Sequence, residues 1–150
     1  TVPADRREAL AEVFVQALLE RDPYAEAHDL AKAREKGFRS PFLALIVVDA
    51  DKGDTEIGLA ERLMSAGCAA QNTLLMATAM GYGSALTSGK ALKSGVLRAG
   101  FALRPSEFAP CFVSIGTASA RKPTPARPDP CELVSTWGEP SITHSSGSPV

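Results

Sequence analysis

Cysteine and histidine are scarce in this sequence, which has three cysteines and two histidines among its 150 residues. Cys68, Cys111 and Cys131 are far apart and form no CxxC pair, so we expect no metal site. An odd number of cysteines fits a reducing compartment better than secretion. The first residues, TVPADRREAL, lack the apolar core of a signal peptide. We therefore expect a cytoplasmic protein.

An excess of either charge is also missing, because 16 Lys and Arg residues balance 17 Asp and Glu residues, for a formal net charge of -1. Proteins that bind nucleic acid usually carry a strongly basic surface. We therefore expect no nucleic-acid partner. The length fits a single domain that can bury its own core.

Charged side chains are absent from residue 63 to residue 89. This stretch overlaps a proline-free segment, 56–80, whose content of Ala, Leu and Met is typical of one long helix. Asp54 or Thr55 is the candidate cap at its start, and Gly81 is typical of a helix end. No membrane span is expected, since polar residues interrupt the apolar surface: Ser65, Gln71, Asn72, Thr73 and Thr78.

A helix that is apolar on most sides is, in a soluble protein, either buried in the core or shared with a second subunit. We expect one of these two arrangements, with a homodimer in the second case. In both, Cys68 is expected to be a buried, unreactive thiol.

The chain before this helix is expected to form two helices and a strand. Residues 24–36 predict a charged helix ended by Gly37, on which His28 is interpreted as solvated rather than catalytic. The stretch 42–50, FLALIVVDA, has seven consecutive apolar residues closed by Asp49, and it predicts a strand buried on both faces. Residues 6–21, behind Asp5 as a cap, place an apolar stripe on one helical face: Leu10, Val13, Phe14, Ala17 and Leu18.

The chain after the long helix alternates between turns and short elements. Residues 81–90, GYGSALTSGK, predict two turns around a short extended piece. Ser94 is expected to cap a helix over 95–103, and PCFVSIGT, 110–117, predicts a second strand. We therefore expect a sheet covered by helices, followed by an extended proline-rich segment and a polar tail.

The glycines of 81–90 do not match a known phosphate-binding loop. A Walker A loop needs four residues between its first glycine and the Gly-Lys pair, whereas five lie between Gly83 and Gly89, and Ala91 follows Lys90. Gly81 and Gly83 end a helix, where a dinucleotide fingerprint should follow a strand.

The order of these motifs resembles the nitroreductase family, and in particular its small, minimal-length branch. The similar motifs are SAGCA at 65–69, LTSG at 86–89, IGTA at 115–118 and FRSP at 38–41. The resemblance covers most of residues 5–134. We expect residues 1–134 to form a nitroreductase-like domain that is incomplete at its amino terminus, and 135–150 to form a polar carboxy-terminal tail.

This resemblance implies an α+β fold with a central sheet flanked by helices, and an FMN-dependent homodimer with the flavin in a cleft at the subunit interface. Electrons would pass from NAD(P)H through FMN to a nitroaromatic, a quinone or a similar small-molecule acceptor. The turn at Leu86, Thr87, Ser88 and Gly89 would hold the flavin ring, and Arg127, with Lys122 nearby, would contact the phosphate. No side chain is assigned as a catalytic acid or base, because the cofactor carries the chemistry.

The family's amino-terminal arginine-rich signature, R-R-S-x-R, has no counterpart in this sequence, and roughly the first third of the family's length is missing. Three interpretations remain open. The sequence is part of a longer FMN enzyme, or it is a non-catalytic dimeric scaffold, or it is a small-ligand binding module that uses the cleft beside 81–89.

Overall fold

A computed structural model describes residues 1–118 and 126–138 of the chain. Contacts divide the chain into two compact units, Thr1–Ser119 and Ala120–Val150. The first unit contains the helices α1 (Arg7–Leu19), α2 (Ala27–Glu35), α3 (Leu59–Ala79) and α4 (Gly95–Gly100), and the strands β1 (Phe42–Asp49), β2 (Gly83–Thr87) and β3 (Glu107–Gly116). The described part of the second unit contains one short helix, α5 (Pro130–Leu133). The predicted domain boundary after residue 134 stays a prediction.

The three strands form one antiparallel sheet in the order β1-β3-β2, so β3 is central. Leu43 of β1 lies opposite Ser114, and Thr87 of β2 lies opposite Phe112. These four residues share one face of the sheet, because alternate residues of a strand point the same way. We call this the cleft face, and the opposite one, which contacts α3, the α3 face.

The predicted strand at 42–50 is confirmed, but its expected burial on both faces is wrong. Leu43 and Val48 are buried, whereas Phe42 and Val47 are 42% and 39% exposed. The cause is the incomplete cover of the α3 face, where Phe42 borders an open apolar groove beside α3. A register shift between Ile46 and Val48 also breaks the alternation of β1.

The cleft face carries the hydrophobic core. The predicted stripe of α1 packs there, with Leu10, Phe14 and Ala17 buried and Val13 and Leu18 partly buried. The Phe112 ring lies 5.7 Å from that of Phe14 and 5.9 Å from that of Phe101, measured between centroids. Aromatic pairs at such distances add to the stability that apolar burial gives.

Helix α4 begins as predicted, at Ser94, whose Oγ accepts a hydrogen bond from the Leu97 N–H at 3.2 Å. The Glu20 carboxylate, just after α1, accepts from the Gly95 N–H at 3.2 Å and from the Val96 N–H at 3.4 Å. The α-helical part ends at Gly100, earlier than expected.

Helix α2 is shorter than its prediction, and Gly37 lies in a 3-10 turn that follows it rather than directly after its last residue. A Cβ on Gly37 would lie 2.9 Å from the Arg7 carbonyl oxygen, so α1 and this turn approach too closely for a side chain. His28 is solvated as predicted and contacts Glu26 and Asp29.

Helix α3 exists as predicted, but it begins at Leu59, after Gly58 at the cap position. Asp54 instead accepts a hydrogen bond from the Glu56 N–H at 2.9 Å, so neither Asp54 nor Thr55 caps α3. Gly81 ends the helix with φ +82°, the left-handed conformation that glycine adopts easily.

The burial of α3 differs from the expectation of a core helix. Only Ala70 and Ala77 of this helix are buried, and Cys68 is exposed rather than buried in the chain. A small sheet covers one side of a helix of this length and leaves the others uncovered. No helix in the described residues is long and apolar enough to cross a membrane.

Candidate functional site

A cleft of about 400 Å³ opens beside the cleft face of the sheet. Its apolar floor consists of Phe14, Leu18, Leu43 and Phe112, which continue the core outward. A volume of this size is within the range of small-molecule and cofactor sites. The cleft is therefore the first candidate for a functional site.

A turn that carries a glycine forms one side of the cleft. Thr87 ends β2, and Ser88 and Gly89 follow it. Gly89 has φ +152°, which disfavours any side chain, and no atom lies within 4 Å of the place where its Cβ would be. A ligand can therefore approach this backbone closely.

A group of basic side chains also lines the cleft. We call Arg21, Lys36 and Arg39 the basic wall. Arg21 follows α1, Lys36 begins the turn after α2, and Arg39 precedes β1. Burial lowers the pKa of Lys36, and the nearby positive charges of Arg39 and then Arg21 lower it further. Lys36 is therefore close enough to both arginines for their charges to act on its ammonium group.

The basic wall lacks ion-pair partners within the described residues. Asp22 and Glu35 line an adjoining depression that the three cations also line. Neither carboxylate lies within salt-bridge distance of these cations. The cleft itself has no acidic lining residue among those described. The charged residues that line the cleft are therefore all basic.

Ser114 supplies an unpartnered polar atom to the same cleft. The residue is 8% exposed, and its buried Oγ makes no hydrogen bond in the described structure. Buried hydroxyls nearly always have a partner, because losing water without replacement costs about 1–3 kcal/mol. This hydroxyl is available to a ligand.

A buried arginine holds the segment that carries Arg39. Arg7 is 7% exposed, and its guanidinium donates to the Gly37 carbonyl at 3.2 Å and to the Pro41 carbonyl at 2.8 Å. These bonds hold both ends of the segment 37–41, which contains Arg39 and directly follows Lys36. The position of the basic wall therefore depends on α1.

The residues predicted for cofactor binding separate into three groups. Thr87, Ser88 and Gly89 line the cleft. Leu86 does not, because it alternates with Thr87 along β2 and so belongs to the α3 face. Arg127 lies in the second unit and is exposed, and Lys122 lies outside the described residues.

Sequence reasoning missed Arg21, Lys36, Arg39 and Ser114. They come from separate elements, so no local spacing connects them. The available signal was only that Lys36 and Arg39 closely precede a buried strand. The described residues contain no cluster of side chains suited to a metal.

Comparison with known proteins identifies the fold and the family. The model of the family described as "Nitroreductase family" matches residues 1–117. The chain belongs to the nitroreductase family. The resemblance read from the sequence motifs is thereby confirmed.

Two bacterial relatives of this nitroreductase-family chain illustrate the similarity. The "Putative NAD(P)H nitroreductase YdjA" of Escherichia coli strain K12 is 31% identical over 122 residues, which are 79% of this chain and 66% of YdjA. A Haemophilus influenzae protein also described as an NAD(P)H nitroreductase is 32% identical over 88 residues, or 59% of this chain and 48% of that protein. The chain thus spans less than two thirds of the length of these relatives.

Solved structures confirm the α+β fold with helices on both sides of the sheet. A nitroreductase-like family protein from Bacillus cereus has a TM-score of 0.75 at 16% identity, covering 91% of this chain and 71% of that one. The FMN and NADPH-dependent nitroreductase NfnB from Sphigopyxis sp. strain HMH has a TM-score of 0.55 at 20% identity, covering 93% and 61%. Such low identity shows the fold alone.

Proposed function

We propose that this chain is part of an FMN-dependent oxidoreductase that passes electrons from NAD(P)H to a nitroaromatic, a quinone or a similar acceptor. The single observation that carries the proposal is the cleft, which an open glycine turn, the basic wall and an apolar floor line together. The nitroreductase-family match supports the same chemistry, since NfnB is described as FMN and NADPH-dependent.

The residues present fit FMN. Its ring has an apolar edge and a polar edge, and the cleft offers apolar contacts from Phe112 and Leu43 beside polar groups from the turn and Ser114. The unpartnered Ser114 hydroxyl and the open backbone at Gly89 are features that a bound ring would use. When bound, FMN supplies two-electron redox chemistry that no side chain provides.

The chain's own groups would bind and orient this cofactor. Backbone N–H groups of the turn can donate hydrogen bonds to the ring, and the basic wall stabilises the negative charge that a reduced flavin carries. The apolar floor excludes water from one side. Contacts of Arg127 and Lys122 with the FMN phosphate remain part of the proposal, and a cytoplasmic location stays a prediction.

The proposal includes a homodimer. Met64, Leu75, Met76 and Met80 of the α3 region are between 58% and 71% exposed, which leaves a large apolar surface on the α3 face. An apolar groove of about 740 Å³ adjoins Met76 and Met80, and Phe42, Tyr82 and Ile115 are among its other lining residues. A second copy of the chain would cover this surface.

The direct experiment is reconstitution of the purified chain with FMN, followed by NAD(P)H oxidation in the presence of a nitrobenzene derivative or a quinone. The proposal predicts a yellow protein whose NAD(P)H consumption requires both FMN and the acceptor. A colourless dimer that FMN does not reconstitute would support the non-catalytic scaffold instead.

A further inference from the structure

The methionines of this chain are all exposed and all belong to one region. The sequence contains three of them: Met64 and Met76 lie in α3, and Met80 follows this helix directly. Their exposed fractions are 71%, 61% and 64%, respectively. A folded chain normally buries its methionine side chains. Three exposed thioethers in one region are therefore unusual.

Two of the three methionines line the apolar groove of the α3 face. Met76 and Met80 are one helical turn apart and border the groove together with Phe42 and Tyr82. Met64 lies about three turns earlier and does not line the groove. In the proposed homodimer the second copy covers the groove, whereas in the free chain the groove is open. The groove pair, Met76 and Met80, is therefore accessible in the free chain and protected in the dimer.

We propose that Met76 and Met80 form a site of oxidation by hydrogen peroxide, and that their oxidation weakens the association of the chain with a second copy. The thioether sulfur attacks one peroxide oxygen, so that an S–O bond forms as the O–O bond breaks. The other oxygen takes the remaining peroxide proton and leaves as water. Sulfur is oxidised to a sulfoxide, and the peroxide is reduced. The inference rests on the homodimer of the proposed function and adds a regulation of that assembly.

The physical effect of the reaction is to place a polar group in an apolar surface. A sulfoxide oxygen accepts hydrogen bonds, and an apolar interface would bury it without a partner, which disfavours association. The fold should survive, because the residues of α3 that are buried in the chain are Ala70 and Ala77. The described lining of the cleft contains neither methionine nor cysteine, so flavin binding should not change.

The first test is treatment of the dilute chain with hydrogen peroxide, followed by dithiothreitol to reduce oxidised cysteines. Peptide mass spectrometry should show sulfoxide at Met76 and Met80, formed more slowly at concentrations where the parent associates. Sedimentation equilibrium should show that oxidation weakens association roughly tenfold or more. Methionine sulfoxide reductases A and B together should restore association, because each reduces one epimer of the sulfoxide.

Met64 provides the matched control, because it is similarly exposed on the same helix but lies outside the groove. In Met64→Leu only the groove pair can be oxidised, and peroxide should weaken association as much as in the parent. In the double variant Met76→Leu, Met80→Leu only Met64 can be oxidised, and the effect should be clearly smaller. Leucine keeps the apolar character and similar volume, so both variants should associate before oxidation. Equal sensitivity of the two variants would overturn the assignment to the groove pair.

Flavin titration of the oxidised chain separates this inference from the proposed function. An oxidised chain that binds FMN like the parent but associates more weakly supports the inference. Equal association of the parent and the oxidised chain would overturn the regulation and leave the homodimer intact. A parent that stays monomeric would overturn both. A chain that binds no FMN, but whose association is still sensitive to peroxide, would overturn the proposed cofactor alone.

Discussion

The two faces of the sheet differ in what covers them. On the cleft face, α1 and α4 complete a core around Phe112, and polar and basic groups surround the space that remains. On the α3 face, a long helix contacts the strands but buries only Ala70 and Ala77 and leaves large apolar side chains in solvent. The proposals assign a ligand to the first face and a second copy of the chain to the other. Substitutions on the two faces should therefore have separable effects.

The largest expected effect is on folding. Phe112→Ala should lower the free energy of unfolding by about 3–5 kcal/mol, because it removes a buried ring and leaves a cavity. Phe42→Ala is the control on the α3 face, where that ring is 42% exposed and its loss should cost less than half as much. Urea unfolding at protein concentrations that favour monomers measures both. Equal losses would contradict the assignment of the core to the cleft face.

Self-association of the chain should be sensitive to substitutions on the α3 face. Met76→Glu should weaken the proposed dimer roughly a hundredfold or more, because the charge would be buried without a partner. Tyr24→Glu introduces the same charge at a residue that is 93% exposed, outside the α3 face, and should leave association unchanged. Sedimentation equilibrium measures both variants. A parent chain that stays monomeric at micromolar concentration would exclude the dimer.

A smaller effect is expected in the reactivity of two cysteine thiols, Cys68 and Cys111. Cys68 is exposed and shares a helical face with Met64 and Leu75, whereas burial raises the pKa of the Cys111 thiol. In dilute solution Cys68 should react with a thiol reagent faster than Cys111, since the thiolate is the reactive form. Dimer formation should protect Cys68 as concentration rises. Protection of Cys68 that does not depend on concentration would argue against an interface there.

The smallest expected effect is a pH dependence at the end of the sheet, away from the cleft. The Asp51 N–H and then the Ser106 side chain hold the pKa of Asp49 below 3.8, with a further contribution from Arg104. Backbone and side-chain hydrogen bonds from Arg104 hold the pKa of Glu107 below 4.5. Because both values fall on folding, this stabilisation is present above the ordinary carboxyl range and is lost as the pH falls through the lower folded values.

Arg104→Gln should therefore reduce the loss of stability in acid. Urea unfolding of the parent and the variant at about pH 7 and about pH 3 tests this. The difference between the two proteins should be larger at neutral pH. A constant difference across this range would show that the Arg104 contacts contribute nothing through titration.

Local sequence signals predicted much of the fold. The stripe on α1, the strand at 42–49, the Ser94 cap and the helix-ending Gly81 each depend on neighbours in sequence, and each is present. The apolarity of α3 correctly indicated a helix, but it could not show what covers that helix. The caps proposed for α3 failed because Asp54 bonds within the preceding turn.

The candidate site was only half predictable. The turn at 87–89 was recognisable from glycine and small polar residues in one stretch. The basic wall and Ser114 meet through strand pairing and the contact of α1 with the segment before β1, which no spacing reveals. A charge balance near zero over the whole chain also concealed a cleft whose charged lining residues are all basic.

The most direct test of the account is a flavin titration of the parent, Gly89→Val and Gly53→Val, followed by fluorescence quenching. Gly53 also has a positive φ, +87°, and open surroundings, but it lies outside the cleft, so its variant carries a similar backbone strain. The account predicts that the parent and Gly53→Val bind FMN, and that Gly89→Val loses most of this binding while keeping its fold. Equal FMN binding by the parent and Gly89→Val would contradict the placement of the cofactor in this cleft.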